Sequence, residues 1–149
     1  MRSAELEALF PKLAEADYSI TSPKARYYNC IAWAAQDDQR WWEPGLLETQ
    51  YWPDGAPEEC TVEAYAEAFR ILGYETCGDG SLETGFEKIA LFAGEEGPTH
   101  AARQLTEGRW TSKLGMLEDV EHSLEGLSES YYGQVVLFMK RRARHHPSP

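Results

Sequence analysis

Near Phe86 the apolar residues of this chain change period, and that switch limits what it can fold into. Upstream they recur at helical spacing. Behind Thr61, a good N-cap, Val62, Tyr65, Ala66, Phe69 and Leu72 form one apolar stripe that stops at Gly73. Downstream they fall into short runs bounded by turn residues. Glu87 to Ala93, a turn at Gly94 to Pro98, Thr99 to Leu105, a turn at Thr106 to Gly108, and Arg109 to Leu114 predict a β-meander. Tyr131 to Lys140, with Val135, Val136, Leu137 and Phe138 in a row, predicts a buried last strand. Helices followed by antiparallel strands bury their apolar surfaces most simply by laying the helices on the sheet, an α+β fold.

The remaining segments are weaker signals. Leu6, Leu9, Phe10 and Leu13 have helical spacing interrupted by Pro11, so a short or broken first helix is expected. Asp17 to Arg26 reads as irregular chain, Tyr74 to Cys77 as a short strand before the turn Gly78-Asp79-Gly80, and Met116 to Leu127 as an acidic connector with a helical turn near Leu124. Residues 36–57 hold four aromatic residues among prolines and glycines, which predicts a long structured loop. Trp41, Trp42 and Trp52 in it either roof the core or wall a substrate groove. The basic tail 141–149 offers little apolar surface and is expected to fray, leaving a single domain over 1–149 with its core at roughly 3–140.

Charge and cysteine usage exclude several functions. With a formal net charge of −11, the general field repels nucleic acid and anionic membrane, so neither is expected as a partner. Three cysteines, Cys30, Cys60 and Cys77, are an odd number without CxxC spacing, which argues against a disulfide framework and a zinc site. No cofactor or metal is called for, since the acidic residues Glu83, Glu87, Glu95, Glu96, Glu118 and Asp119 lack calcium-loop spacing. Two acidic residues near the start and no apolar run of membrane length lead to an expected cytoplasmic location.

The chemistry-bearing stretch is Tyr27-Tyr28-Asn29-Cys30-Ile31-Ala32-Trp33-Ala34-Ala35. Asn29 is a good N-cap, which sets Cys30 at a helix N-terminus, where free backbone N–H groups favour a thiolate and can hold an oxyanion. A cysteine in an apolar helix is also a common core residue. A nucleophilic thiol needs a base, and His100, opening a strand, is the candidate. His145 and His146 sit in the tail and His122 in the acidic connector. Arg103, charged in the strand beside His100, either binds a substrate carboxylate or points to solvent.

The segments Asn29-Cys30-Ile31-Ala32-Trp33-Ala34 and Thr99-His100-Ala101-Ala102-Arg103-Gln104-Leu105-Thr106-Glu107-Gly108-Arg109-Trp110 together resemble the papain-like cysteine hydrolases, particularly the NlpC/P60 and CHAP-type branch. Tyr-Asn-Cys-Ile-Ala-Trp-Ala with the later His-Ala-Ala-Arg-Gln-Leu and Trp-Thr-Ser-Lys-Leu-Gly is also similar to a family of bacterial proteins of unassigned function. The papain-like resemblance implies a cysteine at the start of a helix packed on a C-terminal antiparallel sheet, with a histidine on a following strand. It implies a peptidase or amidase in which Cys30 attacks a carbonyl of a peptide or amide substrate and His100 moves the proton. Ser112 stands at the orienting third position, with Asp119 or His122 as alternatives. The branch usually has histidine, asparagine or glutamine at that third position, and no glutamine shortly precedes Cys30 to serve as oxyanion donor; Tyr28 or the Cys30 amide would do so. Tyr28, Trp41, Trp42, Trp52 and Arg103 would line the substrate site, and Lys113 would meet an acidic group. The rivals to hydrolysis are a non-catalytic binding module presenting the Trp41, Trp42, Trp52 and Tyr51 loop, and acyl transfer or deamidation as in a bacterial effector or conflict system.

Overall fold

The computed structural model describes residues 3–15, 17–45, 50–114, 116–127 and 132–143. Pro11 splits the first helical pattern into α1 (Ala4–Leu9), capped by the Ser3 hydroxyl on the Leu6 amide, and α2 (Pro11–Ala14). Strand β1 (Ser19–Ser22) follows, then α3 (Cys30–Ala34), the short strands β2 (Trp41–Trp42) and β3 (Gln50–Tyr51), and α4 (Val62–Ile71). Thr61 caps α4 through the Ala64 amide, and Gly73 at φ +99° ends it, its amide bonded to the Arg70 carbonyl. The C-terminal half supplies β4 (Glu75–Cys77), β5 (Phe86–Gly94), β6 (Gly97–Gln104), β7 (Trp110–Lys113), β8 (Asp119–His122), a 3-10 turn (Leu124–Leu127) and β9 (Gln134–Arg142).

Seven of these strands form one antiparallel sheet in the order β1-β8-β7-β6-β5-β9-β4, while β2 and β3 pair in parallel apart from it. The fold is thus a mixed α+β arrangement around an antiparallel sheet. Both faces of that sheet are covered. On one, Ile89, Leu91, Ala101 and Met139 pack with Ile31, Ala32 and Ala34 of α3, with Ala64, Ala68 and Phe69 of α4, and with Trp42 and Trp52. On the other, Ala90, Phe92, Ala102, Trp110 and Val120 pack with Leu6, Phe10 and Leu13 of α1 and α2, and with Leu127 and Tyr132. Alternation along each strand assigns the two sets, because successive side chains point to opposite faces.

Three segments depart from the expectations. Ser19–Ser22 pairs as an edge strand although it was expected to be irregular, and Asp119–His122 is a strand inside the acidic connector. Neither carries an apolar run; pairing with neighbours makes them strands. At the other end, Arg141 and Arg142 belong to β9, and buried Arg141 donates to Glu87 at 2.8 Å rather than fraying. Residues 144–149 lie outside the described residues, as does Tyr131 at the start of the expected last strand.

Two bulges flank Phe92. Thr99 is the extra residue between Pro98 and His100 on β6, and Val136, 51% exposed, the one between Val135 and Leu137 on β9. Gly133 feeds β9 beneath this point at φ +78°, and an added Cβ would meet the Ala93 carbonyl. Gly133→Ala is therefore expected to cost about 2 kcal/mol, combining left-handed strain with overpacking; thermal melts that match the wild type would show that this close approach does not constrain the fold.

Candidate functional site

Asn29 organises the segment around Cys30. Its side-chain oxygen accepts from the Ala32 amide at 3.2 Å, capping α3, and from the Trp42 amide at 3.1 Å, while its amide nitrogen donates to the Trp42 carbonyl at 2.7 Å. One buried side chain thereby starts the helix and pins β2 beside it. Cys30 retains some solvent exposure. Burial nonetheless dominates its thiol, pushing it up to about 11 against the opposing pull of the Ala101, Ile31 and Cys30 amides and the Lys113 charge.

Beside this thiol lies a polar cluster on the same face of the sheet. Tyr28 donates its hydroxyl to buried Asp119 at 2.7 Å, and Lys113, opposite Asp119 in the β7–β8 ladder, donates to the carbonyls of Ala25 at 2.8 Å and Leu117 at 2.6 Å. Burial raises the Asp119 carboxyl despite the hydrogen bond from Tyr28 and the Lys113 charge, and lowers the Lys113 ammonium despite Asp119. The Trp33 indole donates to the Thr111 hydroxyl at 3.0 Å, tying α3 to β7.

His100 belongs to the opposite face. It pairs with Phe92 across the β5–β6 ladder, stacks on Tyr132 with ring centroids 4.0 Å apart, and has no exposed surface. Its Nε2 is 2.9 Å from the Ser112 hydroxyl, which lies 2.7 Å from Nε2 of His122; Nδ1 of His122 is 2.6 Å from the Ser123 carbonyl. The Ser123 carbonyl can only accept, so His122 carries its proton on Nδ1 and accepts at Nε2 from Ser112. Ser112 then accepts from Nε2–H of His100, a tautomer assignment that follows from the bonding pattern. His100 Nδ1 is left as a buried acceptor without a partner. Burial holds His100 well below its ordinary 6.5 and His122 down at about 4, so both rings are neutral at physiological pH.

The expected site residues therefore divide. Cys30, Tyr28, Asp119, Lys113 and Arg103 share the α3 face; His100, Ser112 and His122 share the other. Ser112 does bond His100, as the third position implies, but the sheet separates this pair from Cys30, and the strand residue against the sulfur is Ala101. Asp119 is bonded to Tyr28 and not to His100, which corrects its expected role as an alternative orienting group. Tyr28 is a core residue rather than part of a substrate wall. Of the tryptophans, Trp42 and Trp52 roof the core, with indoles donating to Asp37 at 2.8 Å and to the Pro57 carbonyl at 3.0 Å, and this corrects their expected place in a groove. Trp41, in the same loop, is half-exposed; with Arg26, Tyr27, Gln39 and Gln50 it borders a shallow depression of about 440 Å³.

A family model described as Domain of unknown function (DUF7689) matches residues 19–140. The chain belongs to this family. Comparison with curated proteins and with solved structures gives no match.

In this DUF7689 chain the matched span runs from the start of β1 to Lys140, two residues short of the end of β9, so both side-chain clusters lie inside it. The acidic neighbours of His122 suggest a connector, but the alternation of Val120 and His122 with Asp119 and Glu121 is the strand signal that β8 follows. Among the described residues no group of histidine, cysteine, aspartate and glutamate side chains is arranged to hold a metal ion, and no helix is long and apolar enough to cross a membrane.

Proposed function

We propose that this DUF7689 domain is a binding module on a papain-like scaffold whose cysteine is not a working nucleophile. One observation carries the reading: Cys30 and His100 lie on opposite faces of the sheet, so among the described residues no imidazole stands beside the thiol to deprotonate it. Burial also pushes the Cys30 thiol up to about 11, which disfavours the thiolate at neutral pH. The contact surface is the aromatic edge where Tyr27, 63% exposed, and Trp41 flank the shallow depression with Arg26 and the amides of Gln39 and Gln50. A peptide segment suits such a mixture of flat apolar rings and amide groups.

A thiol peptidase or amidase, or the related acyl transfer, is the second reading. It is favoured by the N–H groups of Cys30, Ile31 and Ala101 around the sulfur, a ready oxyanion environment. It would need a base other than His100, and Lys113, the charged group acting on the thiol, is already bonded to two carbonyls.

Iodoacetamide labelling across pH separates the two. The binding reading expects exposed Cys60 to label first, Cys30 to label slowly until strongly alkaline pH, and His100→Ala to leave the Cys30 profile in place. A Cys30 thiolate reactive near neutrality, whose titration moves upward in His100→Ala, would restore the enzyme reading.

A further inference from the structure

The parallel pair β2–β3 carries one constellation of side chains twice, once complete and once with a member missing. On one face, the Asp37 carboxylate accepts from the Trp42 indole at 2.8 Å and from Arg40 Nε at 2.9 Å, and the Arg40 guanidinium lies 3.7 Å over the Tyr51 ring. Trp42 and Tyr51 are register partners with ring centroids 4.9 Å apart. An aromatic face and a carboxylate steadied by an indole N–H thus hold one guanidinium. The other face is built from the alternate residues. Trp41 is paired with Gln50, and Glu43, two residues on from Trp41, continues the ladder by donating its amide to the Tyr51 carbonyl at 3.0 Å. The Glu43 carboxylate accepts from the Trp41 indole at 3.3 Å and from the Gln50 side-chain amide at 3.3 Å.

Both of those donors are neutral. Among the described residues Glu43 has no cationic partner, and no cation lies over the ring of Trp41 or of Tyr27. Trp41 and Gln50 are also two of the residues that border the depression of about 440 Å³, where exposed Tyr27 supplies a second ring. What the Asp37 face contains and the Glu43 face lacks is therefore a guanidinium. Arg26 borders the depression as well but makes no ion pair among the described residues, so it is not the missing member. A flat cation laid on these rings would reach a carboxylate already held in place by two hydrogen bonds, so that cation–π attraction and ion pairing act on one group. The formal net charge of −11 draws a basic partner toward this surface.

We propose that the depression bordered by Tyr27 and Trp41 binds an arginine side chain of a partner peptide, its guanidinium lying against the aromatic rings and donating to the Glu43 carboxylate. Arginine is chosen over lysine because the complete copy on the opposite face holds a guanidinium, and because a planar fork can cover a ring and still present N–H groups at its edge. Each Glu43 oxygen has accepted one bond and keeps a lone pair for a second. Arg26 carries the same charge as the ligand and opposes it. The inference rests on the binding-module reading and names the ligand of that same surface.

The test is an NMR titration of the full chain with the capped peptide N-acetyl-Gly-Gly-Arg-Gly-Gly-amide and with its citrulline and lysine counterparts. Citrulline keeps the planar shape and size of arginine but carries no charge. The arginine peptide should shift the Trp41 indole N–H and the Gln50 side-chain amide, and the citrulline peptide should bind about fivefold or more weakly. Glu43→Gln keeps an acceptor for the Trp41 indole while removing the charge; it should erase the preference for arginine over citrulline without disturbing the fold. Arg26→Ala should tighten binding of the arginine peptide. Equal affinity for arginine and citrulline, an unchanged preference in Glu43→Gln, weaker binding in Arg26→Ala, or no shifts at millimolar peptide each overturn the proposal, and equal binding of the lysine peptide overturns the choice of arginine. Cys30 labelling does not depend on this titration, so the ligand assignment and the binding-module reading fail separately.

Discussion

Between pH 6.5 and 4 the folded protein is expected to lose about 3 kcal/mol of stability through His122 alone. The sign follows from where the proton goes. Burial depresses the folded ring to about 4, whereas the unfolded ring titrates near 6.5, so the unfolded chain takes up the proton first. Above pH 6.5 both states are neutral and His122 adds no pH dependence. As pH falls through the interval the unfolded state is favoured by roughly 1.4 kcal/mol per unit, and the loss is complete below the folded value. His100, also depressed by burial, acts in the same direction.

Asp119 opposes them, because burial raises its folded carboxyl and protonation there favours the folded state. Asp79 and Glu83, lowered by hydrogen bonds from Ser81 and Lys88 respectively, add to acid destabilisation at lower pH. Urea unfolding between pH 7 and about pH 5 stays largely above these carboxylates and should show a fall of about 2 kcal/mol from His122. His122→Gln should start less stable at pH 7, since it breaks the chain through Ser112, and should then decline less steeply. A wild-type stability that is level across this range would mean that the rings protonate freely in the folded state.

The second large effect is expected from Asp119 and Lys113. Both are buried and face each other across β7 and β8; Asp119 Oδ2 accepts from Tyr28 while Oδ1 has no hydrogen bond. The two are neighbours in the ladder without a direct ion pair; Asp119→Ala takes the buried acceptor from the Tyr28 hydroxyl and the nearby negative charge from Lys113, and should cost about 2–3 kcal/mol. Lys113→Met should be similarly damaging alone, since it strips the Ala25 and Leu117 carbonyls of their donor. The double variant Lys113→Met/Asp119→Ala should be less unstable than the sum of its single changes by about 1–3 kcal/mol. Strict additivity in chemical denaturation would show that the two charges are not coupled.

Much of the architecture was open to reading from local chemistry. Thr61, Asn29 and Gly73 mark helix ends because their side-chain oxygens, or the lack of a side chain, satisfy backbone groups within a few residues. The Gly94–Pro98 and Thr106–Gly108 turns separate apolar runs, so β5, β6 and β7 announce themselves. Ser19–Ser22 and Asp119–His122 do not, because polar residues take up strand geometry only when a neighbouring strand offers hydrogen bonds. Trp42 and Trp52 could not be told from Trp41 either, since burial of an indole depends on which chain passes over it.

The candidate site shows the same division more sharply. A capped cysteine at the start of α3, a histidine on a strand, and a serine one strand further on are all present where local pattern places them. Whether the histidine meets the thiol turns on the phase of β6, for a strand has period two and a shift of one residue exchanges every side chain between faces. Ala101 lies against α3 and puts His100 beneath the sheet beside Phe92 and Tyr132; the extra residue Thr99 enters just before it. Sequence alone determined which residues begin helices, which segments pair as a meander and which side chains are chemically capable. Only tertiary structure decided which of those side chains share a face, because register is set by burial on two sides of a sheet at once and no local run of residues records it.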